Sequence, residues 1–283
     1  MRHKIRQNLM LYLHQKISSG TRRVLTRFFS IKSCASADLE LSSESTQGKE
    51  GRYARLALTC LRREEVLALF SEAGCSKRKV VPYMFDNEQA PCFGMGIADY
   101  GLSRKERRIK LYNYYHLVPA GMDWQAHIRK VCKKARISWA RVALDIACFG
   151  RARMSAVDLY DDGKTDLKVY FGPFLSTDIV GKWRHLFKPK AVQKYRALLK
   201  DKALSRLVLL CVRYGKTGRS VRTDFWYETR RVLPYLKALD PQRHAARLYT
   251  DLRSAGAALK LTFICVDLDQ RPRTQFYFEL KEL

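Results

Sequence analysis

A chain of 283 residues with 47% hydrophobic content has enough apolar material to bury a real core, so wholesale disorder is excluded. Its 54 lysines and arginines against 27 aspartates and glutamates leave a formal charge of +27, which points to phosphate, nucleic acid or a membrane surface as partner. Eight cysteines show neither C-x-x-C nor Cys/His metal spacing, which disfavours zinc-module and disulfide-scaffold classes and suits a reducing cytosol, and no apolar run approaches the ~20 residues that cross a bilayer.

The basic N-terminus has the charge of a transit peptide, but Leu9, Leu11, Leu13 and Ile17 read better as a helix over residues 1–24, followed by a strand Leu25–Ser33. Next, Ile31–Ser43 and Gly51–Cys60 flank a polar turn and predict a first hairpin. The segment Leu61–Ala73 sets Val66, Leu67 and Phe70 on one helical stripe. Met95–Tyr115 then opens a motif of apolar run, turn and alternating aromatic run. It recurs at Met154–Phe171, Leu210–Tyr227 and Ile264–Phe278. Asp162-Gly163 supplies hairpin-turn chemistry for the second copy. Between copies, Asp123 is placed to cap a helix over Trp124–Lys134, and further helices are predicted at Val192–Leu204, Arg230–Leu239 and from Asp240-Pro241 onward.

Alternation at period two marks strands with one buried face. On it, Lys110, Tyr112 and Tyr114 oppose Ile109 and Leu111; Lys168 and Tyr170 oppose Leu167, Val169 and Phe171. Asp224 and Trp226, then Gln275 and Tyr277, occupy the matching face of the later copies. Five hairpins give ten antiparallel strands, which leave two exposed edges unless the sheet closes. A closed barrel of that size has room for a ligand, with helices over the aliphatic face and the Lys/Tyr face turned inward. An interior so rich in cations requires an anion, because buried charges must be paired.

This pattern, five αββα units with Lys-x-Tyr on the second strand, resembles the ABBA prenyltransferases over most of the chain, and within them the peptide prenyltransferases of cyanobactin-type ribosomal peptide pathways. The phrase ending LKVYFGPF is also similar to the Lys-x-Tyr strand of the fungal indole prenyltransferases. The resemblance implies an α+β fold: an ABBA (PT) barrel in one domain over 1–283, its closed ten-strand antiparallel sheet ringed by helices. It implies that Glu40 in ADLEL is the catalytic base, and that Arg55, Lys110 and Lys168 bind the diphosphate. Tyr112, Tyr170, Trp226 and Tyr277 would shield an allylic carbocation, with Leu210 and Cys211 setting the depth of the prenyl pocket. The fourth unit departs from the pattern, with Asp224 where a cation is usual.

The implied reaction moves a five- or ten-carbon isoprenyl group from its diphosphate to a side chain of a peptide. Mg²⁺ accompanies the diphosphate by resemblance, with no metal ligands of the protein's own, no organic cofactor, a cytoplasmic monomer and no membrane. Acceptor residue types stay open, as does a small aromatic acceptor. Asp158, Asp166 and Asp224 are candidates to hold a cationic acceptor, and His116 follows a site strand. The rival from another class is a nucleic-acid-binding basic β-rich module, which needs its aromatics on an open surface.

Overall fold

A computed structural model describes residues 22–24, 26–27, 39–45, 54–86, 92–99, 108–118, 121–200, 204–215, 218–227, 232–239, 244–254, 258–267 and 274–281. Ten strands alternate in pairs with helices. β1 (Leu39–Ser45) and β2 (Ala54–Leu61) form the first hairpin, followed by α1 (Arg63–Glu72) and a short α2 (Lys77–Val80). β3 (Phe93–Asp99) and β4 (Arg108–Tyr114) precede α3 (Trp124–Ala135) and α4 (Trp139–Phe149). β5 (Ala152–Tyr160) and β6 (Thr165–Leu175) precede α5 (Ser176–Gly181) and α6 (Pro189–Leu199). β7 (Leu204–Gly215) and β8 (Gly218–Tyr227) precede α7 (Val232–Leu239) and α8 (His244–Ser254), and β9 (Ala258–Asp267) and β10 (Thr274–Lys281) end the described chain.

All neighbouring strands are antiparallel, and the order returns on itself because β1 pairs with β2 on one side and β10 on the other. This closure leaves no edge strand open. The hairpins use the chemistry their sequence supplies: Gly163 takes a positive φ of 80° in the turn from β5 to β6, and its N–H donates to the Tyr160 carbonyl.

Two clusters divide the apolar residues by strand face. Ile109, Leu111, Leu167, Val169 and Phe171 join the large core between sheet and helices. Tyr112, Ala156, Tyr170, Cys211 and Ala57 form a separate cluster inside the barrel. Helix ends follow the expected capping: the Asp123 carboxylate accepts from the Ala126 N–H at 2.8 Å, and Glu65 accepts from the Arg62 N–H at 2.8 Å at the start of α1.

A buried polar network fastens α3 to the barrel. His127 Nε2 lies 3.2 Å from the Tyr83 carbonyl, so that nitrogen carries the proton, and Nδ1 accepts from the Tyr115 hydroxyl at 2.8 Å. Ser155 then donates to Tyr115 across 2.6 Å. Burial holds the His127 imidazole down at about 4, so it is neutral at ordinary pH.

Two expectations are corrected. Residues 26–27 are helical where a strand was expected, because Val24 is fully buried and the Arg23 Nε donates to the Glu72 carbonyl, docking this segment on α1. The helix expected over Val192–Leu204 ends at Leu199, and β7 begins at Leu204. Most of 1–24 and of the first predicted strand lies outside the described residues. Among the described residues no helix is long and apolar enough to cross a membrane.

Candidate active site

Register brings the polar faces of β4 to β8 together inside the barrel. Tyr112 pairs with Ala156, Ala156 with Lys168, and Lys168 with Arg213; one step along, Met154 pairs with Tyr170, Tyr170 with Cys211, and Cys211 with Arg222. Directly opposed residues share a face, so these side chains look into the lumen together. Lys110, Lys168, Tyr112, Tyr170 and Tyr277 are all buried.

Asp158 is the hub of the charged part. It is fully buried, with Lys168 Nζ at 2.9 Å, Arg108 Nη1 at 3.3 Å and Lys110 Nζ at 3.6 Å from its carboxylate. Toward the β5–β6 hairpin tip, Arg213 and the Tyr160 hydroxyl both donate to Asp166. Gly215 leaves room for this pairing, since a Cβ there would push the Asp166 carboxylate aside. On β8, Arg222 grips Asp224 through Nη2 at 2.8 Å and Nε at 2.6 Å, and its Nη1 donates to the Tyr277 hydroxyl at 3.4 Å. Burial is the largest single influence and opposes the Arg222 charge, but Asp224 together with Tyr277, Cys265 and Cys211 holds the guanidinium well above its usual range. Among the described residues, five cations (Arg108, Lys110, Lys168, Arg213, Arg222) thus share three carboxylates.

The aromatic part adjoins this cluster. Lys110 Nζ stands 5.2 Å from the Tyr112 ring centroid, and Tyr112 stacks on Tyr114 at 6.1 Å with 5° between planes. Gly94 makes that stack possible: a Cβ there would sit 2.7 Å from the Leu58 carbonyl and 2.8 Å from the Tyr114 hydroxyl. A cavity of about 370 Å³ runs past Tyr112, Tyr170, Leu209, Asp224, Cys265 and Tyr277 to a mouth at Arg153, His116 and Leu117. His116 is exposed at that mouth, edge-on to Tyr114 at 5.9 Å. Burial raises the thiols of Cys211 and Cys265 and the Tyr170 phenol, so all three are protonated at neutral pH.

Leu210 is a correction. It belongs to the outer aliphatic core and pairs with Thr223, whereas Leu209, one residue earlier, faces the cavity. One step along a strand reverses the face. Asp158, Asp166 and Asp224 are also reassigned: each is the counter-ion of fixed lumen cations, not a free seat for a cationic acceptor. Sequence reasoning passed over Arg108 and Tyr160, although period two from Lys110 and Asp158 reaches both. The side chains of Glu40, Arg55 and Trp226 lie outside the described residues. Their backbones place Glu40 opposite Ala57 and Glu279, Arg55 opposite Ser42 and Ala98, and Trp226 opposite Phe263.

Comparisons with solved structures return several matches to this chain. The prenyltransferase PriB, in ternary complex with L-tryptophan and dimethylallyl thiolodiphosphate, superposes with a TM-score of 0.63 at 12% identity, covering 98% of this chain and 95% of that one. A 6-dimethylallyltryptophan synthase from Micromonospora olivasterospora, in complex with DMASPP and Trp, gives 0.59 at 11% identity over 88% and 82%. AnaPT from Neosartorya fischeri gives 0.53 at 10% identity over 85% and 77%. The chain shares its fold with these proteins. No family model and no curated protein matches the sequence.

Proposed function

We propose that this protein is a prenyltransferase that moves an isoprenyl group from its diphosphate to a side chain of a peptide. The observation that carries the reading is the cluster of buried lumen cations, more numerous than carboxylates among the described residues, beside stacked phenol rings and a half-open cavity, in a barrel whose structural neighbours are prenyltransferases. Support for the chemistry comes from what such a lining does. The allylic C–O bond breaks, its electron pair leaves with the diphosphate, and ammonium and guanidinium groups stabilise that growing charge. Lys110, Lys168 and Arg55 take this part, with Arg108 beside them. The remaining carbocation is held against the faces of Tyr112, Tyr170 and Tyr277, and Trp226 joins them, at about 0.5–2 kcal/mol per ring. Exclusion of water keeps it from becoming an alcohol. The acceptor's electrons form the new C–C or C–heteroatom bond, and Glu40 takes the displaced proton.

The described lumen side chains do not fit a protein-held Mg²⁺. Each carboxylate seen there is already engaged by lysine or arginine, and no group of three metal-ligating side chains occurs among the described residues. Mg²⁺ that accompanied the donor would be held by the diphosphate, where it would offset negative charge alongside Lys110 and Lys168.

A second reading, a free indole acceptor, is favoured by the tryptophan bound in two of the neighbours. The nucleic-acid module is disfavoured because Tyr112, Tyr170 and Tyr277 are enclosed. Dimethylallyl and geranyl diphosphate, each incubated with peptides bearing Tyr, Trp, Ser, Thr, Arg or His and with free tryptophan, decide between them by mass. An isoprenyl increment on a peptide is expected. An increment on tryptophan alone selects the second reading, and none on any acceptor overturns prenyl transfer.

A further inference from the structure

A second cavity, about 660 Å³, lies outside the barrel, between the corner joining α3 to α4 and the tips of the β5–β6 and β7–β8 hairpins. Cations ring it: Lys134 and Arg136 where α3 ends, Arg141 in α4, Lys164 at one hairpin tip and Arg219 at the other. Two are anchored. Arg219 donates to Asp145 at 2.9 and 2.7 Å, and Lys164 pairs with Asp162. Lys134, Arg136 and Arg141 are exposed, and among the described residues none has a carboxylate at ion-pair distance.

Arg136 occupies a position that suits glycine. It ends α3 in the left-handed region at φ 57°, the sole non-glycine residue with positive φ among those described. A side chain with a Cβ is disfavoured there by roughly 1–2 kcal/mol, so this guanidinium stands at the cleft at a conformational cost. The walls offer no stacking surface for bases: Tyr83 and Tyr214 are buried, and the Tyr214 hydroxyl donates to Asp145. A nucleic-acid strand gains much of its hold from exposed rings; a run of carboxylates needs only spaced cations.

We propose that this cleft docks an acidic polypeptide segment, rich in Asp and Glu. It sits at the opposite end of the nine-residue β5 from the cavity mouth, on the order of 30 Å away. Docking there leaves the mouth open, and the interaction does not depend on the donor chemistry.

The test uses the full chain and a fluorescent decaglutamate peptide, read by anisotropy with no diphosphate present. Binding at low ionic strength is expected, weakening as salt is added. The triple variant K134E/R136G/R141E is expected to bind about tenfold more weakly or worse. R136G alone relieves the left-handed strain, so it is expected to keep or raise the melting temperature while losing affinity, and it decides the matter should the triple variant misfold. No binding of the peptide, or unchanged affinity in these variants, overturns the proposal. So does an oligothymidylate of equal charge that displaces the peptide at equal or lower concentration, since that marks an unselective polyanion surface.

Discussion

Asp158 carries more of the lumen's electrostatics than any cation, because Lys168, Arg108 and Lys110 all converge on it. With Asp158→Asn those three positive groups would face one another without their shared counter-ion. Removing one side of such a buried set typically costs about 3–5 kcal/mol. A lower denaturant midpoint is therefore expected, with partial recovery by inorganic pyrophosphate. Loss without recovery would argue that no diphosphate seats among these groups. A pair of leucines separates packing from pocket shape. Leu209→Ala widens the cavity and is expected to shift donor preference toward ten carbons, whereas Leu210→Ala leaves preference alone and lowers stability by about 2–5 kcal/mol. Competition between the two diphosphates and a melting curve measure these effects. Alternation made the faces of Lys110, Tyr112, Lys168 and Tyr170 legible in the sequence. The choice between Leu209 and Leu210 was not, because the β7 run is apolar on both faces and carries no period to read.

Strands and their turns were more legible than their partners. Asp123 announced the start of α3, and Asp162-Gly163 announced a hairpin. The ion pairs could not be read, since Lys168 meets Asp158 only through the β5–β6 register and Arg213 meets Asp166 from a strand about fifty positions on. α4 escaped notice, and with it Asp145, whose bonds to Tyr214 and Arg219 tie that helix to the β7–β8 hairpin. The attachment of α3 makes its own prediction. His127 is neutral in the folded barrel down to about pH 4, while the unfolded chain takes up its proton near 6.5. Between those values the unfolded state holds more protons, so stability rises with pH across the window. The contribution is complete above about pH 6.5 and is lost on acidification toward 4, about 3 kcal/mol in all. Urea midpoints at stepped pH should show this slope, and His127→Gln should flatten it.

At the scale of the molecule, the fivefold recurrence of strand pairs was the sequence's clearest message, and the ten antiparallel ladders are its structural form. The net charge pointed to an anionic partner without locating it; the structure distributes cations between a buried lumen and an outer cleft. The two ends of the barrel are unequal. One opens beside His116, Leu117 and Arg153, while the other is occupied by Tyr160, Asp166, Arg108 and Arg213 bonded to one another. If the opening seen among the described residues is the working entrance, it imposes a sequence on the traffic. A donor whose phosphates reach the deep cations would have to enter before the acceptor stands in the opening, and the spent pyrophosphate would be last out. Steady-state kinetics should therefore be ordered, with pyrophosphate competing against the donor and the alkylated product not doing so. A random pattern would mean that the far end opens during turnover.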